Sequence, residues 1–206
     1  MSTAIDAVLF DMDGVLYAYD RPHRLELLSS ALDVSADEIH EKIFASGLED
    51  DHDLGRIGVE DYIAEIGRRL NCDVTLRQWR AARKWAMAPE PEMLDLAKRL
   101  GAEFDIALMT NNGMFLADAI DQLAPELPGI FGERMFFSGA LGCGKETPAT
   151  FAVLMDKLGW RAARTLFVDD SETYIAAAIE AGLIAHKFED VVGFKTHLAE
   201  LGLADA

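Results

Sequence analysis

The chain has 206 residues, half of them hydrophobic, with a formal net charge of −17; it is long for one compact domain and short for two full ones. Such an acidic balance argues against nucleic acid or an anionic membrane as partner, because phosphate backbones are bound by clustered Lys and Arg. A single phosphate could still be held by a metal or by one well-placed cation, and most of the acidic charge reads as solvated surface.

In chain order, MSTAIDAVLF has neither the basic start nor the extended apolar stretch of a secretory leader. The apolar run Ala7–Phe10 reads as a buried strand, and Asp11, Asp13 and Gly14 follow it at once. From about Tyr19 to Ala88 the apolar spacing is helical, with Leu25, Leu28 and Leu32 on one stripe. Val59, Tyr62, Ile63, Ile66 and Leu70 form a second stripe, and Leu76, Trp79 and Ala82 begin a third. Ser35-Ala-Asp-Glu38 and Thr75-Leu-Arg-Gln78 look like capping boxes. Cys72 falls in this stretch; with Cys143 it makes two lone thiols without metal-like spacing, which suggests a reducing, cytoplasmic setting. Pro89 and Pro91 bracket the exit.

Beyond them, strand-like runs at Ile106–Met109, Met135–Phe137, Leu166–Val168 and Leu183–Ala185 alternate with helical patterns. Those patterns cover Glu92–Leu100, Phe115–Leu123, a helix capped at Thr147 and running to Leu158, and one from Ser171 to Gly182. Strand–helix alternation predicts an α/β, doubly wound parallel sheet. The expected division is an α/β core over 1–17 and 89–206, with an all-helical insert over 18–88. No segment approaches the apolar length of a membrane span.

Open α/β sheets bind ligands beyond the carboxyl ends of their strands. Asp11 and Asp13, Thr110-Asn111-Asn112, Lys145 in GALGCGKETP, and Asp169-Asp170-Ser171 all fall at such places. Residues two apart on an extended backbone share a side, so Asp11 and Asp13 face one crevice and Met12 points away. With Asp169 and Asp170 converging on them, these like charges call for a divalent cation. Mg²⁺ suits a carboxylate-rich site that also takes substrate phosphates. Thr110 and the amides near Asn111 can donate to phosphate oxygens, and Lys145 supplies a cation. One carboxylate can serve as nucleophile and its neighbour as general acid and base.

FDMDGVLY, LMTNN, GKETPATF and FVDDSETYIAAAIEAG, in this order, resemble the four motifs of the haloacid dehalogenase-like (HAD) superfamily and span nearly the whole chain. The resemblance implies that Asp11 attacks phosphorus and that Asp13 protonates the leaving oxygen, then activates water, and gives the metal its main-chain carbonyl. It implies that Thr110 and Asn111 bind the phosphoryl group, that Lys145 stabilises charge, that Asp170 ligates Mg²⁺ directly and that Asp169 stands behind it. The helical insert would be a cap that closes over the site and selects substrate. The implied activity is phosphomonoester hydrolysis of a small phosphorylated metabolite, a sugar phosphate or nucleotide. A β-phosphoglucomutase-type phosphomutase is the alternative, ahead of a haloacid dehalogenase, which Asp13 disfavours, or a non-catalytic binding protein. Monomer and dimer stay open.

Two positions depart from the family pattern: Glu146 follows Lys145 where Pro is frequent, and Tyr174 stands where many relatives carry Asn or Asp. Taken singly, Asp11–Gly14 would be a turn, Asp169–Ser171 a helix start, Lys145 a surface cation and Cys143 a small loop residue. The histidines, His52 in EDDHD included, show no ligand spacing and read as surface groups. Trp79 and Trp85 are expected to pack the insert, and Tyr17, Tyr19, Arg56 and Trp85 are candidates for touching the leaving group.

Overall fold

The structure, a computed structural model, describes residues 5–203; residues 1–4 and 204–206 of the expected core segments lie outside them. Among the described residues seven strands occur: β1 (Ala7–Phe10), β2 (Tyr17–Tyr19), β3 (Met87–Pro89), β4 (Asp105–Thr110), β5 (Met135–Phe137), β6 (Thr165–Asp169) and β7 (Ile184–Lys187). Five form one parallel sheet in the order β5-β4-β1-β6-β7. The chain runs outward from β1 through β4 to β5, then crosses to the other side of β1 for β6 and β7. That reversal is the topological switch at which open α/β sheets bind ligands.

Both faces of the sheet are covered, which is why its strands are continuous apolar runs and not alternating ones. Val8, Phe10, Leu108, Leu166 and Val168 belong to one buried cluster with Leu96, Leu100 and Phe194. Their neighbours Leu9, Ala107, Met109 and Phe167 belong to another with Phe151, Leu154 and Ala178. At about 1.5–3 kcal/mol for each large apolar side chain buried, these two layers fix the register. Phe10 stands level with Leu108 and Val168, so Asp11, Thr110 and Asp169 emerge at the same edge.

Between β2 and β3 lie helices Arg21–Leu32, Ala36–Ile39, Leu48–Asp53, Val59–Leu70 and Leu76–Trp85, with a π-helical turn over His40–Phe44. Thr75 and Gln78 form the reciprocal capping box, and Ser35 accepts from the Glu38 amide. β2 and β3 pair as an antiparallel ribbon, Ala18 opposite Ala88, where the helical periodicity predicts no strand. The predicted helix over Phe115–Leu123 is two short pieces, Met114–Ala117 and Ile120–Leu123, interrupted at Ala119, whose φ is −132°. Thr147 and Ser171 stand at helix starts without side-chain cap bonds.

The tryptophans part company. Trp79 is buried, stacked on Phe44 with centroids 6.2 Å apart and edge-on to Tyr62 at 6.0 Å. Trp85 is 72% exposed, because six residues along a helix turns it away from the face that Trp79, Ala82 and Arg83 bury. Trp79→Ala is expected to cost about 3–5 kcal/mol of stability, whereas Trp85→Ala should cost less than about 0.5 kcal/mol. Urea unfolding of the two variants checks this.

Candidate active site

Lys145 sits at the centre of the active edge. It lies in the loop before helix Pro148–Leu158, 1% exposed, with Nζ 2.5 Å from Asp11 Oδ1 and 2.6 Å from Asp169 Oδ2. Burial alone would pull its ammonium down, but the two carboxylates outweigh that and hold it above the ordinary lysine range. Its loop is fixed from several sides. The Lys145 amide donates to Asn111 Oδ1 (2.9 Å), the Thr150 hydroxyl to the Gly144 carbonyl (2.6 Å), and the Tyr174 ring faces the ammonium at 4.7 Å. Thr147, whose expected role is capping, bonds Gly144 and Thr150 instead.

Asp11 directly follows β1 and Asp169 ends β6; both are buried. Burial, reinforced by Asp169 and Asp13, pushes the Asp11 carboxyl well above the ordinary range against the pull of Lys145. Asp169 Oδ1 accepts the Ser171 amide at 2.8 Å, so with Lys145 on Oδ2 both of its oxygens have partners. Asp170 is more open, and burial with Asp169 nearby raises its carboxyl too.

Asp13 has a different partner set. Its Oδ2 accepts from Arg83 Nη2 at 2.5 Å and from Asn112 Nδ2 at 3.0 Å. Burial works against ionisation, yet Arg83 and Asn112 prevail and hold Asp13 below the ordinary carboxylate range. Asn112 also donates to Thr110 Oγ1 at 2.7 Å, so one amide positions both the second acid and the hydroxyl. Asn111 is engaged differently from the expected phosphate contact: its Nδ2 donates to Glu146 (3.0 Å) and to the Tyr174 hydroxyl (3.2 Å).

Asp11, Asp13, Thr110, Asn111, Asn112, Lys145, Asp170 and Tyr174 line one cavity of about 210 Å³ with Tyr19, Arg21, Arg24, Glu49, Asp53 and Arg83. The chemistry-bearing strand ends therefore come together, and the helical insert adds residues that sequence reasoning missed. Lys145 is accordingly not the one cation here. Tyr19 lines the cavity, and Arg56 lines an adjoining cleft. Tyr17 is turned inward, its hydroxyl on Glu126, and Trp85 lies on a separate surface with His23 and Met87. His52 is buried and not a surface group: Nδ1 meets the Ile57 carbonyl at 2.9 Å, Nε2 accepts the Phe115 amide at 3.2 Å, and the ring stacks on Tyr62 at 4.3 Å. Burial lowers its basicity, which suits a neutral ring that accepts at Nε2.

Asp11, Asp169 and Asp170 each place a carboxylate oxygen within 4.8 Å of the others. Lys145 meets Asp11 and Asp169 but one ammonium does not balance three acids, so a divalent cation would relieve their repulsion, and an all-oxygen donor set is what Mg²⁺ prefers. The donor set fits that ion. Asp13 is not in this group of carboxylates, because Arg83 and Asn112 hold its side chain elsewhere. Gly14 makes room for Asp170: its φ is +86°, and a Cβ there would stand 2.4 Å from Asp170 Oδ2.

The chain matches the haloacid dehalogenase-like hydrolases over residues 5–182. It belongs to that family. It superposes with a TM-score of 0.81 on a HAD family enzyme from Bacteroides thetaiotaomicron complexed with magnesium and inorganic phosphate, 22% identical over 93% of this chain and 99% of that one. A predicted HAD-like family hydrolase from Porphyromonas gingivalis gives 0.81 at 22% identity, covering 95% and 98%. L-2-haloacid dehalogenase from Xanthobacter autotrophicus, with chloropropionic acid covalently bound, gives 0.63 at 17%, covering 95% and 83%. An alignment of 121 positions that covers 52% of this chain is 31% identical to one component of the light-independent protochlorophyllide reductase of Prochlorococcus marinus (strain NATL1A). The match takes in only 21% of that curated relative's length. No helix among the described residues is long and apolar enough to cross a membrane.

Gly14→Ala should push Asp170 out of the three-acid group and weaken Mg²⁺ binding about tenfold or more, by analogy with other changes next to metal ligands. Isothermal titration with MgCl₂ measures it; unchanged affinity would remove Asp170 from the metal site.

Proposed function

We propose that this chain is a magnesium-dependent phosphomonoester hydrolase acting through an aspartyl-phosphate on Asp11, with a small phosphorylated metabolite as substrate. The observation that carries the reading is the pair of differently served carboxylates, Asp11 on Lys145 and Asp13 on Arg83, two residues apart. Lys145 holds Oδ1 of Asp11, which leaves the other oxygen to attack phosphorus. As the Asp11 O–P bond forms, the bond from phosphorus to the leaving oxygen breaks, and Asp13 gives that oxygen a proton. Arg83 and Asn112 on Oδ2 favour the ionised form of Asp13 in the free chain, so the first step draws on its less populated protonated form, with the proton on Oδ1, which has no partner among the described residues. In the second step Asp13 takes a proton from water, whose oxygen attacks phosphorus and releases Asp11.

Thr110 Oγ1 already accepts from Asn112, so its own O–H is directed to a phosphoryl oxygen. Asn111 acts indirectly, by holding the Lys145 loop. Asp11, Asp170 and the Asp13 main-chain carbonyl would hold Mg²⁺, with Asp169 behind them, and the ion would neutralise charge on the phosphoryl oxygens. The residues of the helical insert that line the cavity support its role as a cap that encloses the substrate. The magnesium–phosphate complex of the Bacteroides enzyme supports this reading for a chain of the same fold. The dehalogenase likeness concerns the fold, and halide displacement has no need of a proton donor at Asp13.

Phosphate release from sugar phosphates, nucleotides and acetyl phosphate, with Mg²⁺ or EDTA, tests the reading. Asp11→Asn should lower turnover at least about 1,000-fold, and EDTA should abolish it. An Asn variant as fast as wild type would end the nucleophile assignment. Turnover of 2-chloropropionate that persists in EDTA would favour a dehalogenase, and isomerisation without net phosphate release a mutase.

A further inference from the structure

The helical insert contributes to the cavity a buried ion pair that is only half made. Arg24 Nη1 donates to Glu49 Oε1 at 2.7 Å and to the Tyr19 hydroxyl at 3.1 Å. The guanidinium is packed among the rings of Phe44, Trp79 and Phe115, 5.2 to 5.6 Å from their centroids. In so dry a setting an arginine–carboxylate pair is expected to be two-pronged, with both arms used. Here Arg24 Nε and Nη2 and Glu49 Oε2 have no partner among the described residues. Arg83 Nη1 and Asp13 Oδ1 share that condition. Among the described residues, five of the nine buried unpartnered side-chain atoms thus belong to four residues lining one cavity. Atoms left this way are costly unless a ligand completes them.

The five atoms are mixed in kind. Arg24 and Arg83 offer donors; Glu49 and Asp13 offer acceptors. A leaving group bearing a carboxylate or second phosphate would satisfy the arginines, but it would lie beside Glu49 and Asp53 with no donor for Glu49. An ammonium would answer the carboxylates and leave the arginines unmet. A hydroxyl donates and accepts, so neighbouring hydroxyls can serve Glu49 and Arg24 together.

The cavity of about 210 Å³ around these groups opens beside a cleft of about 620 Å³ that shares Arg21, Asp53, Asn111 and Tyr174 with it, so volume sets no limit on the leaving group and the choice rests on the unpartnered atoms. The two tyrosine rings of the cavity each have a cation at one face, Arg83 on Tyr19 at 4.0 Å and Lys145 on Tyr174 at 4.7 Å, which takes that face from a nucleobase.

We infer that Arg24 and Glu49, with Arg83 beside them, form a hydroxyl-reading subsite, and that the substrate is the monophosphate of a small, uncharged polyol or sugar. This inference rests on the phosphatase reading above. The test compares kcat/KM of the magnesium-loaded full chain for glycerol and hexose monophosphates, AMP, phosphoglycolate and acetyl phosphate. The best polyol or sugar ester should exceed AMP and phosphoglycolate by about 100-fold or more, since a site built for hydroxyls rejects ligands that leave its polar groups unpaired. Glu49→Gln should lower the ratio of polyol ester to acetyl phosphate about tenfold or more. Exchange of Glu49 can also unfold the chain, so the wild-type preference decides by itself where the variant does not fold. A preference for AMP or phosphoglycolate, or an unmoved ratio in a folded variant, overturns the subsite. Failure to turn over any of these esters or the acyl phosphate overturns the phosphatase reading and the subsite with it.

Discussion

An ammonium buried between two aspartates is the contact on which the active edge depends. Asp11 and Asp169 end neighbouring strands that sheet register holds level, so backbone pairing forces their charges together. Like charges this close cannot both ionise in a dry site without a cation. Lys145 meets both at 2.5 and 2.6 Å, and its own loop is tied to β4 by Asn111. Strand packing, loop geometry and charge balance are therefore one problem: a shift of any strand by one residue would separate the ion pairs and turn its apolar side chains to the wrong layer.

The two departures from the family pattern belong to the same arrangement. Asn111 Nδ2 donates to Glu146 and to Tyr174 at once, while its Oδ1 takes the Lys145 amide. Tyr174 places its ring against the Lys145 ammonium. The residues at 146 and 174 thus meet through a shared amide, joining the Lys145 loop to helix Glu172–Glu180. Their effect falls on how firmly Lys145 is held, and neither displaces a carboxylate of the three-acid group.

The sheet was legible in the sequence because strands covered on both faces leave unbroken apolar runs, and its site was legible because charge stands where those runs stop. The insert's share was harder to see. Arg24 lies four residues before Leu28 on the stripe that continues to Leu32, and Arg83 lies four after Trp79; both positions face inward. A charged residue on an amphipathic helix reads as solvent-facing unless its phase is followed strictly, and followed strictly these two could have been found. Glu49 and His52 sit in a six-residue helix, too short for its phase to declare itself. The β2–β3 ribbon joins three-residue segments about seventy positions apart, and its pairing is a tertiary contact without local periodicity. Asn112 looks no different from Asn111 in the sequence; only the turn after Thr110 decides which amide faces Asp13.

The insert and the sheet are interlocked beyond the ribbon. Asp53 accepts the Gly113 amide at 2.7 Å, the Ser138 hydroxyl bonds the Asp53 carbonyl, and His52 takes the Phe115 amide. Gly113 makes this approach feasible, because a Cβ there would lie 2.3 Å from the His52 ring. With the insert held at these loops and at the ribbon, Arg83 can reach Asp13 from a helix that follows it by some seventy residues. Two carboxylates separated by one residue are thus served from different parts of the molecule, Asp11 by a lysine of the sheet's own loops and Asp13 by an arginine of the insert. Placing the acids side by side requires only a strand end; giving them different environments needs the insert in place.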